Sequence, residues 1–163
     1  HIDAFSYYQF LTFRTNESVD AYVSKLLDDA QLTSGLKQYK IDDYLDTSKN
    51  GAYLNDDILD YMYDFLIKND KITYELVSFV VMPNHIHVLF KQINPISDTV
   101  KVLKAKSAKD INALLKKSGK FWASDYYDKV IRDEKHFEKV YNYIQNNALK
   151  AGLVMESRYY SIY

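Results

Sequence analysis

The chain has 163 residues, 47% of them hydrophobic and 26% charged, with a formal net charge of -1. That length and mixture suit one globular domain over residues 1–163, and no apolar run approaches the ~20 residues that span a bilayer. With no cysteine, disulfides and thiolate metal sites are excluded, and the cytoplasm is the default compartment. The opening HIDAFSYYQFLTF lacks the basic leader and small-residue cleavage site of a signal peptide. The small net charge hides a division: residues 1–100 hold 8 Lys/Arg against 15 Asp/Glu, and residues 101–150 hold 12 against 6. Such asymmetry points to an anionic partner for the basic part, or to a solvated lysine-rich helix face.

Phe5 to Arg14 is aromatic and β-prone and reads as a strand. Thr15 to Ser18 supplies capping residues for a helix running to about Thr33, stopped by Ser34-Gly35. Residues 36–55 are polar, acidic and without clean periodicity, which predicts a surface insertion. Asn55 or Asp56 caps a second helix, with Ile58, Leu59, Met62, Phe65 and Leu66 at three- and four-residue steps. Ile72 to Met82 and His85 to Gln92 read as two strands joined at Pro83-Asn84. Val100 to Lys117 is a basic amphipathic helix, Phe121 to Arg132 an aromatic loop with a short strand, and Glu134 to Leu149 a last helix ended by Gly152. This order favours an α+β domain with an antiparallel sheet.

His85 and His87 stand one residue apart in VVMPNHIHVLF, so on a strand they share one face with Leu89. Their α-carbons are then ~6–7 Å apart, a spacing that suits two ligands of one metal ion but is equally met by two ordinary strand histidines. In the last helix Tyr143 and Asn147 are four residues apart and share a face, whereas Tyr141 belongs with Phe137 and Ile144 on the apolar stripe. Packed over the histidines, Asn147 offers an amide oxygen to the metal and Tyr143 a phenol beside it. A phenol with an ordinary pKa near ~10 is a weak nucleophile, and a divalent ion that polarises a phosphodiester would supply the help it needs.

FVVMPNHIHVLF resembles the signature (histidine, hydrophobic, histidine) of the single-tyrosine HUH transposases, the family of the simplest bacterial insertion sequences and their REP-associated relatives. The stretch from Lys104 to Val154, with its lysine-serine helix, its W...YYD..IR run and its YI..N...AGLV helix, is similar to the second half of the REP-associated branch. The resemblance covers Phe79 to Val154 well, Phe5 to Arg14 in outline, and residues 36–55 not at all. It implies a ferredoxin-like, RRM-like fold with helices on one face of the sheet. It also implies a metal site of His85, His87 and Asn147 taking Mg²⁺ or Mn²⁺, and Tyr143 as nucleophile on single-stranded or hairpin DNA. The implied products are a 5′-phosphotyrosine link and a free 3′-hydroxyl, the enzyme is expected to work as a homodimer, and the cytoplasmic protein would join the nucleoid when bound to DNA. The sequence departs from the family pattern at Ala148, where proline usually follows the asparagine.

For DNA the basic helix offers Lys101, Lys104, Lys106 and Lys109 beside the aromatic loop, where Trp122 is a base platform or, more commonly for a lone tryptophan, a core anchor. Lys139, four residues before Tyr143, faces a phosphate or solvent. Two other functions fit the same residues: a non-catalytic nucleic-acid-binding module, and a small metal-dependent phosphodiesterase that activates water.

Overall fold

A computed structural model describes residues 1–3 and 7–163. Strands β1 (Tyr8–Arg14), β2 (Glu75–Val81), β3 (His85–Lys91), β4 (Tyr127–Val130) and β5 (Tyr159–Ser161) form one antiparallel sheet in the order β4-β1-β3-β2-β5. Helices α1 (Ala21–Leu27), α2 (Ser34–Leu45), α3 (Asp56–Lys68), α4 (Ile96–Leu115) and α5 (Glu134–Lys150) complete an α+β fold, as the sequence pattern predicts. Of the expected first strand, Phe5 and Ser6 lie outside the described residues; β5 was not foreseen.

Alternation along the central strands gives the sheet two apolar faces. On one, Leu11, Phe13, Phe79, Ile86, Val88 and Phe90 meet Met62 and Leu66 of α3 and Val100, Leu103 and Ile111 of α4. On the other, Phe10, Val80, Met82 and Leu89 meet Val140, Ile144 and Ala148 of α5. The expectation of helices on one face is therefore corrected. The reason is that β1, β2 and β3 are apolar on both sides, so each side needs its own cover.

Two further corrections concern residues 16–55. The single helix expected up to Thr33 ends at Leu27, and the stretch taken for a surface insertion contains α2, whose Gln38, Ile41, Asp42 and Leu45 are buried. Thr33 caps α2 by accepting a bond from the Leu36 amide at 3.2 Å. The turn after it requires a glycine at 51, where φ is +64° and a Cβ would lie 2.3 Å from Thr15 Oγ1. That close approach seats residues 48–51 against the end of β1. Among the described residues no helix is long and apolar enough to cross a membrane.

Candidate active site

The tight turn from β2 to β3 is closed by Met82 N donating to His85 O at 2.9 Å, and it starts β3 on a histidine. His85 and His87 point to the α5 side of the sheet, both fully buried. Register fixes what each ring meets. Thr12 pairs with His87 across β1, and Thr12 Oγ1 lies 2.7 Å from His87 Nδ1. His85 Nδ1 lies 2.7 Å from Asn84 Oδ1, while Asn84 Nδ2 is directed at the carbonyls of Leu45, Ser48 and Asn50 at 3.2, 3.3 and 3.4 Å. With its amide nitrogen so placed, Asn84 presents only an acceptor to the ring, so the hydrogen of His85 sits on Nδ1 and Nε2 keeps its lone pair. Burial holds the His85 pKa well below the ordinary histidine value and lowers that of His87 to about 3, so both rings are neutral.

Helix α5, capped by Asp133 accepting from His136 N at 2.7 Å, brings Tyr143 over these rings. The Tyr143 ring centre is 5.3 Å from that of His87 and 6.2 Å from that of Phe10, edge-on to both. One turn on, Asn147 is buried with its Oδ1 lacking a hydrogen-bond partner. His85, His87 and Tyr143 thus meet within one chain, with Asn147 one helical turn beyond Tyr143. Ala148 keeps the helix going to Lys150 and is fully buried against the sheet, a place where proline would remove a backbone donor.

The sequence reading missed the contribution of α2. Tyr143 Oη donates to Asp42 Oδ2 at 2.9 Å, Gln38 Nε2 donates to Asp42 Oδ1 at 2.6 Å, and Arg14 Nη2 donates to Gln38 Oε1 at 3.0 Å. Asp42 offers a carboxylate oxygen within 4.8 Å of donor nitrogens on both His85 and His87, so the three are close enough to share an ion. Burial pushes Asp42 up to about 7 and Asp46, one turn further along α2, up to about 6. Burial and the Asp42 charge drive the Tyr143 phenol far above its ordinary range. A usable signal was present: Gln38, Ile41, Asp42 and Leu45 follow helical spacing, but two of the four are polar because they face the site.

A cavity of about 640 Å³ opens beside Tyr143 between α2, β4 and α5, with Lys129, Lys139 and Lys150 on its walls and Tyr39 and Tyr127 among its aromatic groups. Lys139 is the one cation of the expected DNA-binding set on this cavity. Lys101, Lys104, Lys106 and Lys109 are on α4, across the sheet from Tyr143. Lys104 Nζ donates to the carbonyls of Ala123 and Asp125 at 2.7 and 3.0 Å, and Lys106 pairs with Asp110 at 3.2 Å. Trp122 is 3% exposed, wedged edge-on between Phe13 and Phe121, and its Nε1 donates to Ser107 Oγ at 2.9 Å. It is a core anchor, the commoner of the two roles expected for it, and it is not placed to serve as a base platform.

The family model described as "Transposase IS200 like" matches residues 47–147, more than half of the chain. The chain belongs to the IS200-like transposase family. The chain is 27% identical over 95 residues to an uncharacterized protein of Haemophilus influenzae, a match covering 44% of this chain and 53% of that protein; the chain spans about half the length of this curated relative. Among solved structures, a REP-associated tyrosine transposase bound to a REP hairpin is similar with a TM-score of 0.55 at 16% identity, over 94% of this chain and 73% of that one. A candidate transposase from Deinococcus radiodurans R1 is similar with a TM-score of 0.52 at 19% identity, over 89% and 93% of the two chains. At these identities the likeness to the two structures is one of fold. The family match contains His85, His87, Tyr143 and Asn147 and begins after Asp42 and Asp46.

Proposed function

We propose that this chain cuts and rejoins single-stranded DNA at hairpins through Tyr143, with a divalent cation, Mg²⁺ or Mn²⁺, held by His85, His87 and Asn147. The observation that carries this reading is the meeting, in one chain, of the Tyr143 hydroxyl with two neutral imidazoles at the wall of a lysine-lined cavity. The cation fits the donors. His85 Nε2, His87 Nε2 and Asn147 Oδ1 are buried without hydrogen-bond partners, and orphaned polar atoms of this kind are costly unless something occupies them. Nitrogen and amide-oxygen donors suit a divalent first-row ion or Mg²⁺. When bound, the cation supplies Lewis-acid polarisation of a phosphodiester oxygen.

The protein's own groups do the rest. Asp42 orients the Tyr143 hydroxyl and is the acceptor to which its proton is given up on attack, with a pKa of about 7 that suits a base near neutrality. The phenolic oxygen bonds to phosphorus as the bond from phosphorus to the 3′-oxygen breaks, leaving a 5′-phosphotyrosine and a 3′-hydroxyl. The covalent link preserves the energy of the broken bond, so a later 3′-hydroxyl can reverse the step without a nucleotide cofactor. Lys129, Lys139 and Lys150 hold the phosphates of the strand, and Tyr39 and Tyr127 offer rings to its bases. Tyr143 lies over His87 of its own chain, which supports attack by a tyrosine in cis, with or without the homodimer implied by the family resemblance.

Cleavage of a labelled single-stranded hairpin with Mn²⁺ tests this against a water-activating phosphodiesterase and a plain binding module. Wild type is expected to cut, and Tyr143→Phe and His85→Ala each to lose at least about a hundredfold in rate, the scale of removing a group that acts in the reaction. Cleavage that survives Tyr143→Phe but not His85→Ala would establish the water-activating reading. Tight binding with no cutting on any hairpin would establish the binding module.

A further inference from the structure

His85 faces a carboxylate with which it makes no hydrogen bond. Its Nε2 carries a lone pair, because its hydrogen is on Nδ1 toward Asn84, and 3.8 Å from Nε2 lies Asp46 Oδ1. Both atoms are buried without hydrogen-bond partners, as is Asp46 Oδ2. The Asp46 side chain is 7% exposed, and the cation near it, Lys150 Nζ, is 3.9 Å from Oδ2. Two electron-pair donors facing each other across that gap repel, unless a positive centre sits between them. Bonds of ~2.0–2.2 Å to one ion place neighbouring donors ~3.0–3.4 Å apart, close to the gap observed. Asp42 Oδ2 faces His87 Nε2 in the same way at 3.6 Å, but that oxygen already accepts from Tyr143 and Asp42 Oδ1 from Gln38.

We propose that Asp46 is the carboxylate ligand of the metal site, so that α2 brings a fourth donor to His85, His87 and Asn147 while Asp42 stays with Tyr143. This rests on the metal reading above. It has a mechanical consequence. The apolar cluster of α1 and α2, made of Val23, Ile41 and Leu45, is separate from the two sheet cores. The helix α2 reaches the sheet and α5 through polar links, Arg14 to Gln38, Asn84 to the Leu45 carbonyl, and Tyr143 to Asp42. A cation shared between β3 and α2 therefore fastens α2 across the site.

The test is a titration of the metal-stripped full-length chain with Mn²⁺, free ion being read by electron paramagnetic resonance, alongside hydrogen exchange of residues 34–46. Asp46→Asn is nearly isosteric, and unchanged thermal unfolding without metal checks its fold. Asp46→Asn and His85→Ala are each expected to weaken Mn²⁺ binding by roughly tenfold or more, the scale found even for outer-shell partners. The exposed Asp43→Asn is expected to stay within about threefold. Mn²⁺ should slow exchange across 34–46 in wild type and leave it unchanged in Asp46→Asn. If Asp46→Asn binds like wild type, or loses no more than Asp43→Asn, while His85→Ala is weakened, Asp46 is not the ligand and the metal site stands without it. If wild type binds no Mn²⁺, or neither Asp46→Asn nor His85→Ala weakens binding, both readings fall.

Discussion

A single lysine shows how charge in this chain was legible while its use was not. Lys104 belongs to a basic helix that sequence reasoning assigns to DNA, yet its Nζ is turned onto the carbonyls of Ala123 and Asp125. Burial there lowers its pKa from 10.5 to about 8. Between about pH 8 and pH 10 the unfolded chain holds a proton that the folded chain has given up, so the stability contributed at this position rises with pH and is smallest below pH 8. Urea unfolding of wild type and Lys104→Met at pH 7 and pH 10 should therefore show wild type gaining on the variant at the higher pH; a constant difference would refute the buried-ammonium account. The residues of the proposed site divide in the same way. His85, His87, Tyr143 and Asn147 were readable because strand and helix periods put each pair on one face and the family resemblance joined the two pairs into one site. Asp42 and Asp46 were not, since a carboxylate among 22 acidic residues carries no mark of the face it occupies.

At the scale of elements, strongly apolar periodicity gave α3, α4, α5, β2 and β3 to within a few residues. The failure was α2, whose buried face is half polar because it looks onto the histidines rather than onto oil-like core. A helix that serves a site can thus lack the very pattern that announces helices. The position of α4 was equally hidden, since periodicity tells which face of a helix is buried but not which side of the sheet it covers. Its lysines came to lie across the sheet from Tyr143, and the aromatic loop beside it became core through Trp122. Trp122→Ala is accordingly expected to cost about 3–5 kcal/mol of stability, the range for emptying a large buried aromatic site. Chemical denaturation measures this, and a variant of unchanged stability but weakened DNA binding would restore the base-platform role.

For the whole molecule, the acidic first part and the basic later part fold into one site, where carboxylates from α2 face imidazoles from β3 and lysines from β4 and α5. Phosphate recognition should follow the cavity rather than the total charge. Lys129→Gln with Lys139→Gln is expected to weaken binding of a single-stranded hairpin about tenfold at low salt and to flatten the salt dependence by ~0.7 per lost phosphate contact. The same change at Lys101, Lys106 and Lys109 should move affinity by about threefold or less, and fluorescence anisotropy across a salt series separates the two. The central claim is that Tyr143, and no other of the 16 tyrosines, takes the DNA strand. Mass-spectrometric mapping of the denatured product after incubation with a single-stranded hairpin and Mn²⁺ tests it most directly. A nucleotide adduct on the peptide bearing Tyr143, absent from Tyr143→Phe, is the result predicted; an adduct on another tyrosine, or cleaved DNA with a free 5′-phosphate and no adduct at all, would contradict it.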